Sequence, residues 1–188
     1  MKRLLIISAA VILLAGCTPK PSYTPLQKAV VDYVAESVGP DAKLSFNSIE
    51  VADSLTYGQL YEQRVKAFRV KLDQDIKFVN RYKSKKMPVN ADKHQKSVEK
   101  DKTILSALEK MDISDIADNI VCYDMVFSGK ADSPSQTTVF EEFYAAVTPD
   151  GKILATNDSK KGLHKGFGKY LPGYTEILRS VGGEDDEK

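Results

Sequence analysis

Tryptophan is absent from the 188 residues, cysteine and histidine occur only twice each, and the formal charge is just +1. With 27 basic residues against 26 acidic ones, the chain lacks the global excess of a nucleic-acid binder or of an acidic solvating tail protein. Two cysteines and two histidines far apart in sequence exclude a disulfide-rich scaffold and leave too few soft ligands for a zinc site of the usual spacing. No metal and no cofactor is therefore expected. The missing indoles count against a carbohydrate platform, which commonly stacks sugar on tryptophan. A bilayer-spanning apolar run of about twenty residues is also lacking. What the chain does have is 42% hydrophobic residues, enough for a core and too many for a wholly disordered polymer.

Met1-Lys2-Arg3 is positively charged, and Leu4 to Ala15 is apolar or small except for Ser8. At about 1.5 Å per residue such a helix reaches roughly 18 Å, short of the hydrocarbon core of about 30 Å. It reads as an export signal rather than a span. The run ends in Leu14-Ala15-Gly16-Cys17, which resembles the lipobox of bacterial lipoproteins. That resemblance implies diacylglycerol on the Cys17 thiol, with Leu14, Ala15 and Gly16 recognised by a signal peptidase that cuts before Cys17. Two or three acyl chains, at about 0.8 kcal/mol per buried methylene, then hold the protein to a membrane. Thr18 stands where an aspartate would signal inner-membrane retention in this family, so the resemblance points to the outer membrane, facing the periplasm. Pro19, Pro21 and Pro25 favour polyproline II, and about eight residues at roughly 3.1 Å each make a tether of about 25 Å.

The chain accordingly divides into a signal peptide (1–16), a lipidated cysteine with a proline-rich tether (17–25), an α+β domain (26–181) and a disordered acidic tail (182–188). Leu26, Val30, Tyr33, Val34 and Val38 recur at helical spacing after Thr24-Pro25, and Gly39-Pro40 stops the run. Lys43 to Val51 alternates with one phase slip, the signature of a strand with a bulge. Tyr57, Tyr61, Val65, Phe68, Leu72, Ile76, Val79 and Tyr82 define a long amphipathic helix. Pro88 breaks that pattern, Asn90 is a candidate cap, and Val98, Ile104, Leu105, Leu108 and Met111 complete a helical hairpin with a poorly buried tip. Strand formers then dominate Ile120 to Phe127, Thr137 to Val147 and Lys152 to Thr156, with Pro149-Asp150-Gly151 forming a tight turn. Gly129 to Ser135 reads as a looser connection, Lys160 to Gly173 as a mobile glycine-lysine loop, and Tyr174 to Val181 as a closing helix or strand. The sum is an antiparallel meander with one face packed against a long amphipathic helix and helical hairpin. In element order this resembles the cystatin-like and NTF2-like sheets of small bacterial lipoproteins.

Few constellations carry chemistry. Gly162 to Lys169 lacks the spacing of a phosphate loop, because Leu163 stands where its first glycine belongs. Cys122 and His164 are a conceivable nucleophile and base, but an apolar strand favours Cys122 as a small buried hydrophobe. Glu141 and Glu142 alternate across a strand, and Asp73 and Asp75 lie about 200° apart around a helix, so neither pair flanks one bond. No catalytic residues are assigned. Between Lys77 and Lys102 nine basic residues face three acidic ones, which makes Arg81, Lys83, Lys85, Lys86, Lys93 and Lys96 a candidate patch for an envelope protein, anionic lipid or glycan. Its lysines lack the interleaved aromatics of a nucleic-acid reader. Tyr123, Phe140, Phe143 and Tyr144 are placed to fill the core or to line an open sheet face. The expected function is a lipid-anchored, non-catalytic binding module. Alternatives are a small envelope hydrolase in the sheet's concavity and a structural spacer between membrane and wall.

Overall fold

Helix α1 (Pro25–Val38) begins where Thr24 accepts a hydrogen bond from the Gln27 amide and the Gln27 side chain accepts one from the Thr24 amide. This reciprocal cap satisfies two donors that a helix start leaves open. The same Gln27 donates from Nε2 to the Ile49 carbonyl at 2.8 Å, tying the helix start to the neighbouring strand. This is a computed structural model that describes residues 22–182. The leader, the tetrapeptide at residues 14–17, most of the proline-rich tether and the acidic residues 183–188 lie outside the described residues.

After α1 come β1 (Lys43–Thr56), the helices α2 (Tyr57–Ser84) and α3 (Pro88–Leu108), and then β2 (Ile120–Asp132), β3 (Thr137–Val147), β4 (Ile153–Asn157) and α4 (Tyr174–Ser180). The four strands form one antiparallel sheet in the order β1-β2-β3-β4. The fold is therefore α+β, with an antiparallel meander interrupted by a helical hairpin between its first two strands. β1 runs five residues past its expected end, with extra residues at Asn47 and Ala52 that shift its register against β2. The first is the slip read from the sequence. Each bulge bends and twists the strand, so β1 curls along the sheet edge.

Helices cover both faces of the sheet rather than one. Val30 and Val34 of α1 pack on Ile49, Met125, Phe127, Ala145 and Val147. On the opposite face, Leu60, Val65, Ile104 and Leu108 from the base of the hairpin meet Leu55, Cys122 and Ala146. Alanines at adjacent positions of β3 let a helix approach from each side. At about 1.5 Å per residue, the 28 residues of α2 span roughly 42 Å, so its far half projects beyond the sheet.

That far half departs from the simple apolar stripe. Asp75 is buried while Ile76 is exposed, and His94 Nδ1 lies 2.6 Å from Asp75 Oδ1. His94 stacks against both Phe78 and Tyr82, which also stack on each other, and Lys71 approaches the fully buried Asp101 at 3.3 Å. Away from the sheet, this pair of helices has only itself to pack against, and polar pairing replaces part of the apolar seam. The chain reverses at Lys86, whose φ of 54° is left-handed, and α3 starts at Pro88 with Met87 at its cap, so Asn90 is not the cap.

Two further readings are corrected. Gly129 to Ser135 is not a loose connection: β2 extends to Asp132, and Ser133 closes a short turn through hydrogen bonds with Gln136. Lys160 to Gly173 is not a mobile loop. Two short 3-10 turns, Lys160–Gly162 and Phe167–Tyr170, bury Leu163, Phe167 and Leu171 at 1–2% exposure beside Tyr174 and Leu178. Gly168 is needed there, because a Cβ would sit 2.5 Å from the Tyr174 ring. Among the described residues no helix is long and apolar enough to cross a membrane.

Candidate functional site

A register shift in β3 builds a concavity beside α1. Phe127 pairs with Phe143 and Gly129 with Phe140, so Glu141 and Glu142 together oppose the single residue Ser128. The extra residue re-phases the strand, and Phe140 and Phe143, three apart in sequence, both pack toward α1. Their rings lie 5.7 and 5.6 Å from Phe127, and Phe46 of β1 adds a fourth ring 5.8 Å from Phe140. Gly129 makes this cluster possible. A Cβ there would stand 2.3 Å from the Ser45 carbonyl oxygen and 2.9 Å from the Phe46 Cα, so only glycine lets β1 and β2 close beneath the rings.

Between this aromatic floor and Tyr33, Val34, Ser37 and Val38 of α1 lies a groove of about 430 Å³. Glu141, Glu142 and Asp158 stand on its rim. Tyr33 is fixed by its hydroxyl, 3.0 Å from Thr156 Oγ1. Glu142 accepts a hydrogen bond from the Tyr144 hydroxyl, which holds the phenol above its ordinary pKa. An apolar cleft of this size with a few convergent polar groups is the usual form of a small-ligand site. The groove is partly legible in the sequence: strand-forming composition places Phe140 and Phe143 on the sheet, whereas the bulge that turns both toward one side leaves no mark in an alternation count.

On the other face of the sheet, Cys122, Asp124 and His164 converge. His164 Nε2 lies 2.7 Å from Asp124 Oδ1, and the Cys122 thiol donates weakly to the same oxygen at 4.0 Å. Cys122 and Asp124 occur two apart on β2 and therefore share a face, while His164 arrives on the segment between the two 3-10 turns. Cys122 is 0% and Asp124 1% exposed, and His164 reaches the surface only partly. Nearby, Lys160 Nζ holds Asp53 at 2.9 Å and, with the Ser54 amide, keeps that carboxyl below its ordinary pKa. Burial, with the Asp124 carboxylate in addition, pushes the Cys122 thiol up to about 12. A buried thiol in that state is not a nucleophile at neutral pH. The sequence paired Cys122 with His164 as one reading; the structure brings them together and adds Asp124, whose role no spacing marked.

The basic residues named from the sequence gather at the far end of the hairpin. Arg81, Lys83, Lys85, Lys86, Lys93 and Lys96 are all exposed, and Met87 and Val89 stand among them at 42% and 79% exposure. Cys17, Leu14, Ala15 and Gly16 lie outside the described residues. Tyr123 and Phe143 belong to the α1 side of the sheet and Tyr144 to the opposite side. Comparison with known proteins finds no matching family model, no matching curated protein and no matching solved structure. None of these comparisons supports the expected resemblance to cystatin-like and NTF2-like sheets.

Proposed function

We propose that the protein is a lipid-anchored cell-envelope binding module, presented to the periplasm on its tether, that holds an apolar small molecule between α1 and the sheet. The observation that carries this reading is the groove over Phe127, Phe140 and Phe143. Its floor offers aromatic surface, and Glu141 and Asp158 on its rim favour a ligand whose polar end is a cation or a hydrogen-bond donor. Anchoring rests on the tetrapeptide ending in Cys17. The basic hairpin tip supplies a second contact surface suited to an anionic partner, which fits a protein that works by association. Binding is favoured over hydrolysis because the thiol-histidine pair lies on the other face of the sheet and its thiol is held protonated. It is favoured over a passive spacer because a spacer needs no aromatic cleft.

The test is uptake of phenylnaphthylamine, a neutral apolar dye whose emission rises in a dry site. Saturable binding at one site is expected, weakened roughly tenfold or more by Ser37→Trp, which fills the groove from an exposed position on α1. Equal uptake by the variant refutes the groove. In cells, Cys17→Ser is expected to move the protein from the membrane to the aqueous fraction, and retention at the membrane refutes the anchor.

A further inference from the structure

We propose that Cys122, Asp124 and His164 form a binding site for one divalent transition-metal ion of zinc type, independent of the apolar groove. One potential ligand atom from each residue lies within 4.8 Å of the others. The donor set of sulfur, carboxylate oxygen and imidazole nitrogen is one that zinc accepts, with water completing the coordination. All three side chains are fixed by the fold. Two come from the central strand β2, and His164 is held in place by Leu163 and Phe167, which are buried on either side of it.

Charge agrees with this geometry: a thiolate, a carboxylate and a neutral imidazole around a dication sum to zero, so the bound ion would offset both buried anions. On binding, the Cys122 thiol releases its proton to solvent as the S–metal bond forms, while Asp124 and His164 donate lone pairs. The fit requires only side-chain adjustment. Tetrahedral zinc separates nitrogen and oxygen ligands by about 3.3 Å and sulfur and oxygen by about 3.5 Å, against the present 2.7 Å and 4.0 Å. His164, the most exposed of the three, lies where an ion enters from solvent.

The experiment titrates the full chain, purified in detergent and stripped with a chelator, with zinc by calorimetry and with cobalt by absorption. The expected result is one zinc ion bound with release of one proton, and a sulfur-to-cobalt charge-transfer band in the near ultraviolet. Cys122→Ser abolishes that band. His164→Gln, at a partly exposed position, weakens zinc by more than about 100-fold, beyond the loss typical of a supporting group alone. Circular dichroism checks that both variants keep the fold. His94→Gln, which removes the other histidine, leaves binding unchanged. Equal zinc uptake by wild type and either site variant overturns the proposal, as does the absence of saturable uptake by the wild-type chain. Loss of binding in His94→Gln overturns it equally, since the ion then sits in the helical hairpin.

Discussion

Gly129→Ala adds one methyl group, and the structure fixes where it goes. The new Cβ stands 2.3 Å from the Ser45 carbonyl oxygen and 2.9 Å from the Phe46 Cα, with a Phe140 ring carbon at 3.0 Å. A ring edge can turn aside, but the other two atoms are backbone of the paired strand. Relief therefore requires β1 and β2 to part by close to 1 Å at the point where their pairing passes the Asn47 bulge. Overpacking of this kind costs about 1–3 kcal/mol, and contact with backbone places it in the upper half of that range. Against it stands a gain of about 0.4–1 kcal/mol, because alanine restricts the unfolded chain more than glycine does. The net loss is about 1–2.6 kcal/mol, or roughly 2–10 °C in melting temperature for a chain of this size. Thermal unfolding followed by circular dichroism gives the shift, and dye uptake at low temperature gives the effect on the groove, whose floor includes the displaced Phe140. A variant that melts within about 1 °C of wild type and binds dye equally well refutes the close approach of the two strands.

Two further outcomes test the corrected parts of the fold. Phe167→Ala is expected to cost about 3–5 kcal/mol, since the ring is 2% exposed in a segment that glycine and lysine content marks as loop; a change under about 1 kcal/mol in urea unfolding would restore the loop reading. Asp101→Asn is expected to stabilise the protein by on the order of 1 kcal/mol at neutral pH, because burial raises the Asp101 carboxyl above its ordinary value and Lys71, 41% exposed, keeps its hydration. A raised folded-state pKa means that protonation favours the fold, so the wild-type chain loses this contribution as pH rises from the unfolded value of 3.8 through the folded one. The gain from asparagine should therefore vanish only below the unfolded value of 3.8, and urea midpoints showing the same gain at about pH 3 and pH 7 would contradict the assignment to charge burial.

What the sequence by itself determined is local and periodic. Helix α1, with Thr24 and Pro25 at its start and Gly39 at its end, follows from capping chemistry and spacing, as do the long run of α2 and the Pro149-Asp150-Gly151 turn. These depend on residues within a few positions of one another. Leu163, Phe167, Leu171, Tyr174 and Leu178 also recur at helical spacing, a signal hidden by the glycines and lysines between them. Only the tertiary structure decided which faces meet. The alternation of β3 places Phe140 and Phe143 on opposite sides until a bulge against Ser128 brings them to one. The period of α2 favours Ile76 for burial until α3 supplies His94 as a partner for Asp75. Cys122, Asp124 and His164 meet because β2 presents two of them and a segment forty residues later folds back with the third. In each case the deciding energy is a contact between distant parts of the chain, and a one-dimensional pattern does not record its partner.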